Sequence, residues 1–167
     1  MRELQERGVV AALSRDWSRP RLQLIIAGTA AIVVALDQLT KSLAVHYLRD
    51  APLHLVGPVR LALTFNSGAA FSLARGLTTE LVVVGVALIA VVVVLGRSAS
   101  TTATAIAVGL ILGGAVGNLV DRLVRSNGGS VIDFIDLRYW PTFNVADACI
   151  VCGAVLLIFA GYRRRTP

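Results

Sequence analysis

The sequence predicts an all-α membrane protein of four transmembrane helices with a small extracytoplasmic β-like platform. Two observations carry this prediction. Of 167 residues, 56% are hydrophobic and only 16% charged, whereas a soluble domain is about half apolar with about a quarter charged. The apolar residues also gather into four runs, each near the roughly 20 residues a spanning helix needs, separated by segments rich in turn formers.

The elements follow in order. Residues 1–20 form a polar cytoplasmic leader in which Glu3, Glu6 and Asp16 lie among arginines. Leu22 to Leu36 is uninterrupted by charge and is expected to continue as helix to about Leu48. It does not look like a cleavable signal peptide, because a charged leader precedes it and Asp37, Gln38 and Lys41 follow without a small-residue cleavage site. The segment from His46 to Glu80 mixes Pro52, Gly57 and Pro58 with the strand-like Leu61–Phe65, which predicts a sheet-like platform. Leu81 to Leu95 is the second span and Ala103 to Val120 the third. Asn127-Gly128-Gly129 marks a turn in the segment from Asp121 to Thr142, and Val145 to Tyr162 is the last span. Residues 21–163 thus make one four-span domain, and 164–167 a basic cytoplasmic tail.

Net charge is +6, but no polar globular surface exists to carry a basic stripe for nucleic acid. Anionic membrane lipids are the better partner. Nine basic residues fall on the side of the termini and seven on the other, and the arginine clusters abutting the first and last spans favour cytoplasmic termini. Asp37, Asp50, Glu80, Asp121, Asp133, Asp136 and Asp147 then all lie toward the outer face.

Ionisable groups at the mouth of a membrane helix are costly and are functional candidates by default. Gly109, Gly113 and Gly117 repeat at four-residue spacing, a ridge that lets another helix approach closely. Asn118, Asp121 and Arg122 follow on one helix face, and Asp37 and Lys41 stand at i and i+4 in the order that suits a helical ion pair. Arg122 beside Asp121 is expected to keep that carboxylate ionised. Asp133, set between Val131-Ile132 and Phe134-Ile135, and Asp147, behind Phe143 and Val145, are expected to be desolvated. Two such carboxyls brought together can share a proton and activate water. Asp136 is a nearby rival. Lys41 with Ser67 or Ser72 lacks an SxxK or nucleophile-elbow context; His46 and His54 lack metal-ligand spacing; Cys149 and Cys152 read as small buried hydrophobes. A small proton-coupled transporter is the alternative from another class, disfavoured because transporter sites lie near the bilayer midplane.

Five strings in order, Asp37-Gln38-Leu39-Thr40-Lys41, Asn66 to Phe71, Gly113 to Arg122, Val131 to Phe134 and Phe143 to Asp147, resemble the signature of lipoprotein signal peptidases, the signal peptidase II family. The resemblance implies a bacterial inner-membrane aspartic endopeptidase, without metal or organic cofactor, that cuts lipidated prolipoproteins just before the diacylglyceryl-modified cysteine and is inhibited by globomycin. Carried over by motif, Asp133 and Asp147 are the catalytic pair. Asn66, Asn118, Arg122 and Asn144 match residues around the substrate, while Asp37, Lys41, Asp121, Gly113 and Gly117 match supporting positions. The leader is longer than the family core requires.

Overall fold

The computed structural model describes residues 20–68 and 78–162. The leader before Pro20, the tail from 163, and the 69–77 stretch with Ala69-Ala70-Phe71, Ser72 and Arg75 lie outside the described residues. Four helices and three strands follow along the chain: α1 (Pro20–Tyr47), β1 (Leu53–His54), β2 (Arg60–Asn66), α2 (Thr78–Arg97), α3 (Thr102–Leu123), β3 (Val131–Asp136) and α4 (Val145–Tyr162). Pro20 stands at the start of α1, where its missing N–H would have had no intrahelical partner. Thr101 caps α3, its side chain accepting from Thr104 N at 3.1 Å.

Three of the four helices, α1, α2 and α3, are long and apolar enough to cross a membrane, and α4 is shorter in its apolar part. Of the four spans expected, three are matched in full among the described residues. The apolar helix runs from the first residue of α4, Val145, to Ala160 and is shorter than the other three by length alone. Leu24, Ile32, Leu36, Val83, Val84, Val94 and Ile158 are among many large apolar side chains left exposed on the helices, a surface that suits lipid and would be a liability in water.

Helix α3 is central and packs against each of the other three. Its glycine ridge faces α1. A β-carbon on Gly109 would lie 2.6 Å from Thr29 Cβ, one on Gly113 2.7 Å from Val33 Cβ, and one on Gly117 2.6 Å from the Asp37 carboxylate. On its other side Gly114 sits against the carbonyl of Ala146, and Gly153 of α4 sits against that of Ala107. Glycines on both faces thus bring three backbones close together, as the small-residue spacing predicts for one face. Leu22, Ile26, Val92, Ala105, Val108 and Ile111 fill one end of the bundle. At the other end Ala44, Leu48 and Phe134 pack with Leu61, Leu63, Ile135 and Val145 beneath the sheet.

The platform is an antiparallel sheet in the order β1-β2-β3. It joins the two segments between spans that the sequence leaves separate: Thr64 pairs with Asp133 and Asn66 with Val131, with a register irregularity between Leu61 and Thr64. The Asn127-Gly128-Gly129 turn forms as expected, with φ of 67° and 74° at its glycines and Asn127 Nδ2 donating to Ser130 O at 2.7 Å. After β3 the chain folds back so that Phe143 bridges Ile135, which places Asn144 alongside Asp133.

Candidate active site

The pleat of β3 decides which of its two aspartates enters the site. Successive side chains of a strand point to opposite faces, so Asp133 and Asp136, three residues apart, diverge. Asp136 goes to Arg60, its direct partner across the ladder, with Nε and Oδ2 at 2.6 Å, and accepts Arg138 N at 2.6 Å. These donors hold its carboxyl below the usual carboxylate range, the Arg138 backbone bond most and Arg60 next. Asp133 lies on the other face with Val131, and Asn66, opposite Val131, reaches it along the diagonal at 3.0 Å.

Asp147 arrives from α4 through a reciprocal cap. Asn144 precedes the helix, its Oδ1 accepting from Asp147 N at 2.9 Å, while Asp147 Oδ2 accepts from Asn144 N at 3.2 Å, the capping-box geometry with an aspartate at the third position. The same Asn144 gives its amide to Asp133 Oδ1 at 2.7 Å. One buried residue therefore joins the two carboxylates, through its side-chain amide to Asp133 and its backbone N–H to Asp147.

Three asparagines share one pattern. Each turns its NH2 toward an aspartate of the pair and has its oxygen engaged by a separate donor. Asn66 gives Nδ2 to Asp133 and receives Gly68 N at 2.9 Å; Asn144 gives Nδ2 to Asp133 and receives Asp147 N. Asn118 gives Nδ2 to Asp147 Oδ1 at 2.8 Å and receives Lys41 Nζ at 2.9 Å. Every amide presents a donor to a carboxylate and none an oxygen, an arrangement that favours the ionised form.

Behind them Asp37, Lys41 and Asp121, all fully buried, form an ion triplet: Lys41 Nζ lies 2.8 Å from Asp37 Oδ2 and 2.9 Å from Asp121 Oδ2. Removing one partner from such a buried cluster costs about 3–5 kcal/mol, because a charge is left uncompensated. The cation beside Asp121 is Lys41, with Arg125, just past the end of α3, at 3.3 Å. Arg122, expected from sequence adjacency, instead donates to Gly129 O at 3.1 Å and ties the glycine turn to the helix. Gln38 and Arg125, to which the sequence assigns no site role, also belong to the cluster. Gln38 donates to Asp121 Oδ1 at 2.9 Å and Asp37 Oδ2 at 3.2 Å, and Arg125 donates to Gln38 Oε1 at 3.1 Å. The i, i+4 spacing of Asp121 and Arg125 was the available signal.

The carboxyl of Asp133 is pushed up to about 6, first by burial, with the amide of Asn66 opposing, the charge of Asp147 adding, and Asn144 and Lys41 opposing. That value puts it within reach of proton exchange near neutrality. Cys149 is partly buried and Cys152 exposed, both unpaired thiols, so the expectation of two buried cysteines holds only in part.

The family model for signal peptidase II matches residues 29–163. The chain belongs to the signal peptidase II family. Signal peptidase II enzymes are aspartic peptidases, and this one has helices apolar enough for a membrane. The chain is similar to a lipoprotein signal peptidase of Rhodococcus jostii, 48% identical over 145 residues, covering 84% of this chain and 72% of that protein. It is also similar to one of Mycobacterium avium, 43% identical over 156 residues, covering 90% and 84%. A solved bacterial membrane enzyme shares the fold, with a TM-score of 0.72 at 25% identity over 83% of this chain and 87% of that one.

Proposed function

We propose that the chain removes signal peptides from lipidated prolipoproteins, cutting immediately before the diacylglyceryl-modified cysteine, with Asp133 and Asp147 as the reacting pair. The observation that carries this is Asn144, whose side-chain amide donates to the Asp133 carboxylate while its backbone N–H donates to that of Asp147. Asp133, the member whose carboxyl burial pushes up, holds the shared proton, and Asp147 acts as base.

Asp147 takes a proton from water as the water oxygen attacks the scissile carbonyl carbon, and Asp133 gives its proton to the carbonyl oxygen. The gem-diol then collapses: Asp147 delivers its proton to the leaving nitrogen as the C–N bond breaks, and Asp133 recovers a proton from the diol. One proton remains on the pair at the end, as at the start. Arg122 lies in electrostatic range of Asp133, Asp121 and Asp147 and, with Asn66, lines the approach for the substrate backbone; Asn118 and Asn144 hold the aspartates.

The enzyme sits in the cytoplasmic membrane of a bacterium, with four spans, both termini inside and the sheet on the outer surface among lipid headgroups. The acyl chains of the substrate bring the bond to that surface, which replaces a search by positioning. Globomycin competes for the same site. A transporter finds no support, since Asp133 lies on a strand and Asp147 in the first turn of its helix and neither lies in mid-span.

The test uses purified protein in detergent or lipid with a prolipoprotein whose lipobox cysteine bears diacylglycerol. Mass spectrometry should find the signal peptide released just before that cysteine, and the unlipidated precursor should be cut poorly or not at all. Equal cleavage of both would remove lipid recognition; cleavage of neither would remove the peptidase assignment.

A further inference from the structure

We infer that Lys41 is a positioning residue of the reaction, whose buried ammonium sets the direction of the Asn118 amide and, through Asp37 and Asp121, holds the backbone just ahead of each reacting aspartate. The role given to Lys41 rests on Asp133 and Asp147 being the reacting pair.

Lys41 Nζ has three protons and three acceptors: Asp37 Oδ2 at 2.8 Å, Asp121 Oδ2 at 2.9 Å and Asn118 Oδ1 at 2.9 Å. Each acceptor leads onward. Asp37 Oδ1 accepts from Ala146 N at 3.0 Å, one residue before Asp147. Asp121 Oδ2 accepts from Ile132 N at 3.0 Å, one residue before Asp133. Asn118 donates directly to Asp147. A flipped Asn118 amide would set its NH2 against Lys41 and against Asn144 Nδ2, now 3.1 Å from its oxygen, and its C=O against the Asp147 carboxylate. Three repulsions replace three bonds. The oxygens of Asn66 and Asn144 are oriented by backbone N–H groups, so Lys41 is the side chain outside the three amides that orients the oxygen of one of them.

The experiment is a double-mutant cycle on cleavage of lipidated precursor, with Lys41→Met, Asn118→Ala and the pair, each measured for kcat, KM and thermal midpoint in detergent. Lys41→Met leaves two buried carboxylates short of a cation, so the cycle is repeated in an Asp37→Asn background, where Asp121 keeps Arg125 and Gln38. Each single change is expected to lower kcat by about tenfold or more with KM within about twofold, as for partners that orient reacting groups. The pair is expected to be no more than about threefold worse than the poorer single. Losses that multiply, or Lys41→Met with kcat intact, would overturn the inference. Asp133→Asn and Asp147→Asn are run alongside: if either still cleaves, the assignment of the pair fails, whereas dead aspartate variants with multiplying Lys41 and Asn118 losses sink the Lys41 role alone.

Discussion

Asn144 and Asp147 hold each other in both directions, the amide oxygen of one taking the backbone N–H of the other at 2.9 Å and the carboxylate returning the contact at 3.2 Å. A helix cap is thereby also the mount of the aspartate proposed to act as base. Substituting a cap of this kind with alanine costs about 0.5–2 kcal/mol, and here it also takes the amide from Asp133. Asn144→Ala is expected to lose cleavage almost completely while lowering the thermal midpoint by only a few degrees; a variant that folds and cleaves at near wild-type rate would break the link between cap and chemistry.

Asp133→Asn and Asp147→Asn are each expected to abolish cleavage while the protein still inserts and folds, because each removes half of a proton-sharing unit. Asp136→Asn should be mild, since its partners are Arg60 and Arg138 N on the far face of β3. Precursor cleavage by the three variants decides the matter, and a dead Asp136→Asn beside an active Asp133→Asn would reverse the assignment.

The pH profile carries a signed expectation. With Asp133 proposed to hold the shared proton and its carboxyl pushed up to about 6, the alkaline limb of kcat/KM should fall near that pH. The Asn66 bond favours the ionised carboxylate, so its removal in Asn66→Ala raises the proton affinity further and the limb moves to higher pH. A limb that stays put or moves down would remove Asp133 as its source.

Packing predicts opposite signs for two alanine substitutions. A β-carbon on Gly113 would lie 2.7 Å from Val33 Cβ and 2.8 Å from Ala30 O, so Gly113→Ala should destabilise by about 1–3 kcal/mol, the usual cost of overpacking. Gly28 has nothing within 4 Å of such an atom, and Gly28→Ala should stabilise by about 0.5–1 kcal/mol through helix propensity. Thermal midpoints in one detergent would show the two shifts, and a shared sign would contradict the helix contacts.

Topology is open to thiol labelling. With Cys149 and Cys152 changed to alanine, cysteines at Ser67 and Ser126 should react with a membrane-impermeant reagent applied from outside. Labelling only after permeabilisation would place the sheet on the cytoplasmic side.

Much of this architecture was legible in the chain. The run from Val145 to Tyr162 matches α4, Leu61–Phe65 lies within β2, and the Asp37–Lys41 spacing announced an ion pair that forms. What escaped was relational. The alternation along Val131–Asp136 separates Asp133 from Asp136, but only once that stretch is known to be a strand, and its apolar character fits helix or strand. The partner of Asp121 could not be read from adjacency, because a helix turns the next residue about 100° away; Lys41, 80 positions distant in the chain, takes the place expected for Arg122. Gly114 and Gly153 gave no such warning, since their contacts depend on how α4 crosses α3.

Helix α2 stands apart from all of this. Only Val92 and Gly96 among its described side chains and glycines are buried, and its remaining surface is valine, leucine and alanine turned outward. No hydrogen bond of the aspartate network comes from it. Its sequence therefore answers to bilayer thickness, to a seam against α3 and to a smaller contact with α1, where Gln23 donates to Gly96 O, so replacement by another apolar helix of equal length that keeps Val92 and Gly96 should leave turnover intact. Among the four helices it is the natural place for an affinity handle, a spectroscopic probe or a fused reporter, and the element in which distant relatives are free to diverge first.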